Sequence, residues 1–372
     1  MKPKVMTVVG TRPEIIRLSC ILPKLDKCFN HVLVNTNQNF DKNLNKIFFK
    51  ELKLKKPKFN LINKKISNLK FIGQLFIKFE EILNIEKPDA LLVLGDTNSA
   101  LSALCAKKKK IPVFHIEAGN RCFDDRVPEE INRRIIDHFS DINMTYSSYA
   151  SENLQREGLK KDRIIKVGSP LLEVYHKYDS QIENSKILKK LKISSGYYVL
   201  ASIHREENVD DLNKLEIIMN SINKIGQDLK IPVIFSTHPR TRNNLKKINT
   251  IKKNIIKFSN PFGFFDYAKL LKNAAITISD SGTVTEEASI LSIPCVNLRF
   301  TNERQEGMEF GIAPMSGLDT ENIFNSYKIA MNKKDDLRMH PDYSNYNVSN
   351  SVITIIQSYI HFINEKVWLK KN

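Results

Sequence analysis

The sequence predicts an α/β fold in two successive domains, each a parallel sheet wrapped by helices. Short apolar runs alternate with helical patterns along both halves of the chain, the signature of parallel strands joined by crossover helices. A polar stretch of weak pattern, from about Asp179 to Gly196, interrupts this alternation before it restarts. At 372 residues the chain also exceeds what one ordinary core accommodates. The expected division is 1–178 and 179–349, followed by an apolar helical run, Val352 to Ile363, able to pack on either domain.

In the first domain the strand-like runs are Val5 to Val9, His31 to Asn35, Ala90 to Leu94, Ile111 to Ile116, Ile142 to Tyr146 and Ile164 to Val167. Open α/β sheets hold ligands outside the carboxyl ends of their strands, so the residues after each run matter most. Gly10-Thr11-Arg12-Pro13-Glu14 follows the first run; Pro13 opens a helix and leaves Arg12 at the sheet edge, where a phosphate can lie. Arg17 is one turn further on, although a glycine turn with a solvated arginine explains the same residues. Gly95-Asp96-Thr97-Asn98 follows the third run, and Asp96 reads either as a helix cap or as an acid/base group.

The densest cluster follows the fourth run. Glu117-Ala118-Gly119-Asn120-Arg121-Cys122-Phe123-Asp124 and then Pro128-Glu129-Glu130-Ile131-Asn132-Arg133 crowd carboxylates and arginines into one loop and helix start. Pro128 in the first helical turn accounts for Glu129 and Glu130, which complement the positive end of the helix dipole. Glu117 follows a strand with no helix to cap, so a chemical role explains it better.

In the second domain the runs are Tyr197 to Ile203, Pro232 to Ser236, Ile255 to Phe258, Ala275 to Ile278 and Cys295 to Leu298. His204-Arg205-Glu206-Glu207-Asn208 leaves the first of them with an imidazole and a guanidinium, and His238-Pro239-Arg240 leaves the next. Ser279-Asp280-Ser281-Gly282-Thr283 starts a helix whose backbone amides suit a phosphate, with Glu286 and Glu287 in its first turns. Two domains of this kind imply a ligand held by both.

Composition narrows the classes. A formal charge of +17 suggests nucleic acid, yet the lysines are dispersed and no binding module is recognisable, so no nucleic-acid partner is expected. No apolar stretch is long enough to span a bilayer, and Met1-Lys2-Pro3-Lys4 runs straight into a strand, which predicts a cytoplasmic protein with no membrane partner. Five cysteines without paired spacing suggest neither a disulfide framework nor zinc. Neither GxGxxG nor the phosphate-loop lysine motif occurs, so NAD and ATP are unsupported.

In this order, across nearly the entire chain, these motifs resemble the non-hydrolysing UDP-N-acetylglucosamine 2-epimerase family. The forms that begin at Glu117, at His204 and at Ser279 are similar to the branch that makes UDP-N-acetyl-L-fucosamine by inverting C2 of UDP-2-acetamido-2,6-dideoxy-L-talose. The resemblance implies a glycosyltransferase-B-like architecture of two Rossmann-like domains with an interdomain cleft, residues 350–372 returning to the first domain, and a homodimer. It also implies a UDP-sugar substrate, a place in surface polysaccharide biosynthesis, and neither cofactor nor metal. By matching position, Asp96, Glu117, Glu129 and His204 form the catalytic set, with Arg12 beside them. Ser281, Gly282 and Glu287 hold diphosphate and ribose, with Arg205 and His238 nearby; Arg17, Arg121, Arg133, Thr283 and Arg299 complete the substrate-binding set.

Some positions depart from the N-acetylglucosamine branch. Gln38-Asn39-Phe40 stands where that branch has Gln-His, part of a regulatory site, so activation by UDP-N-acetylglucosamine is not expected. Arg17 replaces a lysine, Thr283 a glycine and Glu206 an arginine, and the loop from Gly119 to Pro128 is shorter, so substrate preference does not transfer. UDP-N-acetylglucosamine 2-epimerase and, more distantly, a UDP-sugar glycosyltransferase are the alternatives.

Overall fold

A computed structural model describes residues 2–38, 42–64, 66–248 and 255–370, the side chains of 42–46 excepted. Asn39 and Phe40 of the expected regulatory departure lie outside the described residues. The chain forms two compact units, Met1–Lys177 with Asp342–Asn372, and Tyr178–Pro341.

The first unit contains β1 (Lys4–Val9), β2 (Asn30–Asn35), β3 (Phe59–Asn60), β4 (Ala90–Leu94), β5 (Val113–Ala118), β6 (Ile142–Thr145) and β7 (Ile164–Lys166). They pair in the order β3-β2-β1-β4-β5-β6-β7, every neighbouring pair parallel. Strands covered on both faces have no polar alternation, and β4 is the clearest case: Ala90 to Leu94 are at most 2% exposed. β3 was not expected from the sequence. It is a two-residue edge strand beside Lys55-Lys56-Pro57-Lys58 and carries no apolar run.

The strand order reverses between β1 and β4. Crossover connections on either side of such a reversal diverge, and a crevice opens at the carboxyl ends of the two strands. Gly10 to Arg12 leave β1 at that point, and Gly95 and Asp96 leave β4.

The apolar run expected as a strand over residues 111–116 is shifted two residues along the chain. The helix Ser102–Lys108 ends with Lys110 at φ +57°; the Lys110 N–H reaches the Lys107 carbonyl at 3.0 Å and the Ile111 N–H the Ala106 carbonyl at 3.0 Å. This doubly bonded left-handed cap takes up Ile111, whose side chain packs back on the helix, so β5 begins at Val113. Glu117 therefore lies within the strand's last turn of pleat rather than after it.

The chain re-enters the first unit at Asp342, ahead of the residue 350 that the resemblance implies. Asp342 accepts the Ser148 N–H at 2.8 Å and pairs with Lys166, which fastens the returning segment early. The helix Val348–Lys366 then lies against Ile21–Cys28, with Lys24 Nζ donating to Asn350 Oδ1 at 2.6 Å.

The second unit contains β8 (Val199–Ser202), β9 (Val233–Ser236), β10 (Ile256–Ser259), β11 (Ile276–Ser279) and β12 (Cys295–Asn297), in the parallel order β10-β9-β8-β11-β12. Side chains alternate between its faces: Val199 and Ala201 join the cluster with Ile218, Ile222 and Phe235, whereas Leu200 joins Ile234, Leu271 and Val284. Here the order reverses between β8 and β11, where His204 and Ser281 leave the sheet. Among the described residues no helix is long and apolar enough to cross a membrane.

Candidate active site

At the β1 exit the helix Arg12–Arg17 starts one residue before Pro13, with Thr11 as its cap residue. The buried Glu14 carboxylate ties the β1 exit to the β4 exit. Its Oε2 accepts the N–H groups of Gly10 and Thr11 at 2.6 and 2.7 Å, and its Oε1 lies 2.5 Å from Thr97 Oγ1 on the β4 exit. Burial pushes this carboxyl up to about 7, against the pull of the three donors. Arg12 is exposed, its guanidinium 5.7 Å from the centre of the Phe48 ring. Arg17 is buried, stacks 5.5 Å over Tyr146, and places Nε 3.7 Å from Glu117 Oε2.

Asp96 is not a helix cap, because Thr97 occupies that position for the short turn Asn98–Leu101. Its carboxylate instead receives Arg133, with Nε and Nη2 at 3.1 and 2.6 Å. Arg133 Nη1 reaches Glu130 Oε2 at 2.9 Å, and Asn132 donates to the Asp96 carbonyl at 3.0 Å. All three partners lie on the helix Pro128–Phe139, which begins with Pro128 as the sequence suggested. Glu130 is fully buried; burial opposes its charge, but the N–H groups of Cys122 and Phe123 at 3.1 Å and Arg133 outweigh it and hold its carboxyl below the usual range. Glu129 is half-buried in the same first turn.

Glu117 adopts φ +70°, a conformation rare outside glycine, at a register irregularity between Ile116 and Ala118. Irregularities of this kind re-aim a side chain relative to a regular strand. Its Oε2 lies 3.5 Å from Tyr146 Oη and 3.7 Å from where a side chain on Gly95 would begin. The first unit therefore gathers Arg17, Asp96, Glu117 and Arg133 around the β4 and β5 exits.

Arg121 does not join them. Its side chain is fully buried, bonds Glu157 through Nε and Nη2 at 2.7 and 2.6 Å, and gives Nη1 to Asp137 and the Asn120 carbonyl at 2.7 and 2.8 Å. These contacts correct its placement in the substrate-binding set: it pins the loop. Asp137, wholly buried, also accepts the Gly119 N–H; burial opposes its ionisation, but His115 and Arg121 outweigh that and hold its carboxyl low.

In the second unit Asp280, fully buried, organises the β8 exit. It accepts the His204 N–H at 3.1 Å, the Arg205 N–H at 2.9 Å and Asn208 Nδ2 at 3.0 Å, and its backbone carbonyl accepts Arg205 Nε at 3.0 Å. His204 remains 43% exposed, with Nδ1 3.4 Å from Asp280 Oδ1. His238 is exposed, and its Nδ1 lies 3.4 Å from the Arg240 N–H as the cap of the helix Pro239–Leu245. Arg240 spends its guanidinium on Asp210 and Glu206.

The β11 exit carries Ser281, Gly282 and Thr283 ahead of the helix Val284–Leu291. Ser281 Oγ lies 2.9 Å from Thr283 Oγ1. A side chain on Gly282 would begin 2.0 Å from Glu303 Oε1, so any other residue there would require the Glu303 carboxylate to move. Arg299 is buried and bonds Glu303 through Nη1 at 2.6 Å, while its Nη2 has no hydrogen-bond partner among the described residues. Glu286 pairs with buried Arg304 at 3.0 Å, and Glu287 is half-buried one position on.

Glu14, Glu130, Asp137 and Asp280 were not singled out from the sequence as site residues. Each is an acidic residue one to four positions from a residue that was, but spacing gives no sign that its carboxylate folds back onto the backbone. Among the described residues no cluster of His, Cys, Asp and Glu could hold a metal ion.

Residues 24–358 match the family model described as UDP-N-acetylglucosamine 2-epimerase. A UDP-N-acetylglucosamine 2-epimerase of Methanocaldococcus jannaschii is 39% identical over 89% of this chain and 93% of its own. A UDP-2,3-diacetamido-2,3-dideoxy-D-glucuronate 2-epimerase of Pseudomonas aeruginosa is 33% identical over 91% of this chain and 95% of its own. Among solved structures, a UDP-N-acetylglucosamine 2-epimerase from Rickettsia bellii superimposes with a TM-score of 0.91 at 42% identity, covering 100% of both chains. The M. jannaschii enzyme in complex with UDP-GlcNAc and UDP gives 0.89 at 36%, over 95% of this chain and 99% of that one. These neighbours and the two parallel sheets establish the glycosyltransferase-B-like architecture of two Rossmann-like domains. The chain belongs to the UDP-N-acetylglucosamine 2-epimerase family.

Proposed function

We propose that the protein inverts C2 of a UDP-2-acetamido sugar by eliminating UDP and adding it back. The observation that supports this most directly is the pair of carboxylates, Asp96 and Glu117, on the adjacent exits of β4 and β5 with an arginine against each. Removing the C2 proton lets the electrons form a C1–C2 double bond as the C1–O bond to the diphosphate breaks. Protonation of C2 from the other face, with attack of the diphosphate oxygen on C1, completes the inversion. Two acid/base groups must then address opposite faces of the ring. Glu117 is one, and Glu129 or Asp96 the other, with His204 assisting at the leaving oxygen or a sugar hydroxyl.

The diphosphate charge that grows as C1–O breaks needs preorganised donors. In this reading Ser281, Gly282 and Thr283 supply hydroxyl and backbone groups, Arg299 supplies its unspent Nη2, and Arg12, Arg17, Arg133 and Arg205 add positive charge. Glu287 serves the ribose, and His238 lies nearby. Arg133 also keeps Asp96 oriented.

For the sugar we read UDP-2-acetamido-2,6-dideoxy-L-talose, converted to UDP-N-acetyl-L-fucosamine for a surface polysaccharide, from the forms of the segments at Glu117, His204 and Ser279. UDP-N-acetylglucosamine is the second reading, favoured by relatives of that name at 39% identity. A homodimer and a cytoplasmic location are part of the proposal. Incubating the purified chain with each sugar nucleotide and following anomeric protons by NMR separates the readings. Conversion of the L-talose compound alone supports the first, conversion of UDP-N-acetylglucosamine alone the second, and conversion of neither overturns the proposed activity.

A further inference from the structure

Glu117 is held at φ +70°, a strained conformation for a residue with a side chain, and such strain persists only where surrounding contacts over-determine it. Those contacts converge on one carboxylate. Two residues before Glu117, His115 is completely buried; its Nε2 lies 2.9 Å from the Gly95 carbonyl and its Nδ1 2.9 Å from Asp137 Oδ1, out of line with an ideal hydrogen bond. The Gly95 carbonyl can only accept, so Nε2 carries a proton. Two residues after Glu117, the Gly119 N–H donates to both oxygens of Asp137 at 3.2 and 3.3 Å, and its carbonyl accepts Asn153 Nδ2 at 3.0 Å.

Asp137 thus grips both flanks of the strained residue. It is anchored by Arg121, which is itself forked onto Glu157. One turn earlier on the same helix Arg133 holds Asp96, and His115 reaches the carbonyl of Gly95 just before it. A single rigid helix therefore sets both proposed acid/base carboxylates. Asp137 and His115 have no exposed surface and cannot touch a substrate, so any effect they have on chemistry passes through what they hold.

We infer that Asp137, acting with His115, is the positioning residue that fixes the Glu117 carboxylate for proton exchange at C2. The inference rests on the epimerase reading above. Misplacing a reacting group by about 1 Å can cost on the order of a hundredfold in rate.

The test uses the 372-residue chain and the variants Asp137→Asn and His115→Gln, with kcat and KM measured on whichever UDP-sugar the wild type converts. UDP affinity is measured by titration, and assays run well below each melting temperature. Glutamine at 115 keeps a donor toward Gly95 and loses the group facing Asp137; it also leaves the Arg121–Asp137 pair intact, so it decides the matter if Asp137→Asn does not fold. The expected result is a fall in kcat of about 10- to 100-fold, with KM and UDP affinity within about threefold of wild type. A lowered melting temperature with unchanged kcat per folded molecule assigns the pair to stability alone and overturns the inference. A wild type that converts no UDP-sugar overturns the epimerase reading, and the inference with it.

Discussion

At the residue scale, the proposed site is built from side chains whose backbone or burial departs from what their neighbours in sequence suggest. Glu117 stood out in the sequence because four features coincided: a strand end, an acid, a following glycine and no helix to cap. Its φ of +70° was not legible, since no sequence pattern marks a non-glycine residue for that region. Arg121 was misjudged for a related reason. Its neighbours in sequence are proposed site residues, but its partners Asp137 and Glu157 are 16 and 36 positions away, and they take it into the interior. Glu117→Gln removes proton transfer and leaves the diphosphate donors in place. Its kcat is expected to drop by about a thousandfold or more with UDP affinity within about threefold, as read by turnover and UDP titration; near-normal turnover would refute the role of Glu117.

At the element scale, loops are fixed to one another by carboxylates that carry their own pH dependence. Glu14 ties the β1 and β4 exits together, and its carboxyl is pushed up to about 7 on folding from an ordinary value near 4.5. A proton held more tightly in the native state adds stability that is complete below about 4.5 and is lost as pH rises through about 7. Thermal melts of wild type against Glu14→Gln from pH 4.5 to 8 should show this loss, up to about 3 kcal/mol, in the wild type only. Arg133 bridges Asp96 and Glu130 with separate nitrogens, which a lysine ammonium cannot reproduce. Arg133→Lys should cost about 1–3 kcal/mol in denaturant melts, because buried Glu130 keeps Arg134 and its two N–H donors but loses one of its two arginines. Gly119 has φ +81°, and a side chain there would begin 2.2 Å from the Ala150 carbonyl oxygen, so Gly119→Ala should destabilise by more than about 4 kcal/mol in the same melts.

Elements were readable where burial was symmetric. β4, covered on both faces, coincides with its apolar run, Ala90 to Leu94. β5 was displaced because the helix cap at Lys110 and Ile111 claimed the front of its run, and β3 was invisible because a two-residue edge strand needs no apolar signal. Likewise Asp96 could be read as a cap until the structure gave that position to Thr97.

At the scale of the whole molecule, the alternation of strand-like runs with helical patterns already specified two parallel α/β sheets. Strand order was not specified, since a parallel crossover can pass to either side of its predecessor. The two reversals, between β1 and β4 and between β8 and β11, convert a scattered set of motifs into chemistry: each lies at a strand end where a sheet opens. The first unit presents the proposed acid/base carboxylates with arginines against them. The second presents a glycine-bearing turn, buried Arg299 and an exposed imidazole, the kinds of group that suit a diphosphate and its leaving oxygen.

The central claim is that C2 is inverted by proton exchange rather than by oxidation or by transfer to an acceptor. Its most direct test is turnover in heavy water, with product recovered and C2 examined by proton NMR. Elimination and readdition predict one deuterium at C2 of every product molecule, with free UDP only in the amount of any glycal that escapes readdition. Product that keeps its original hydrogen at C2 would contradict the mechanism and, with it, the roles assigned to Glu117 and Asp96.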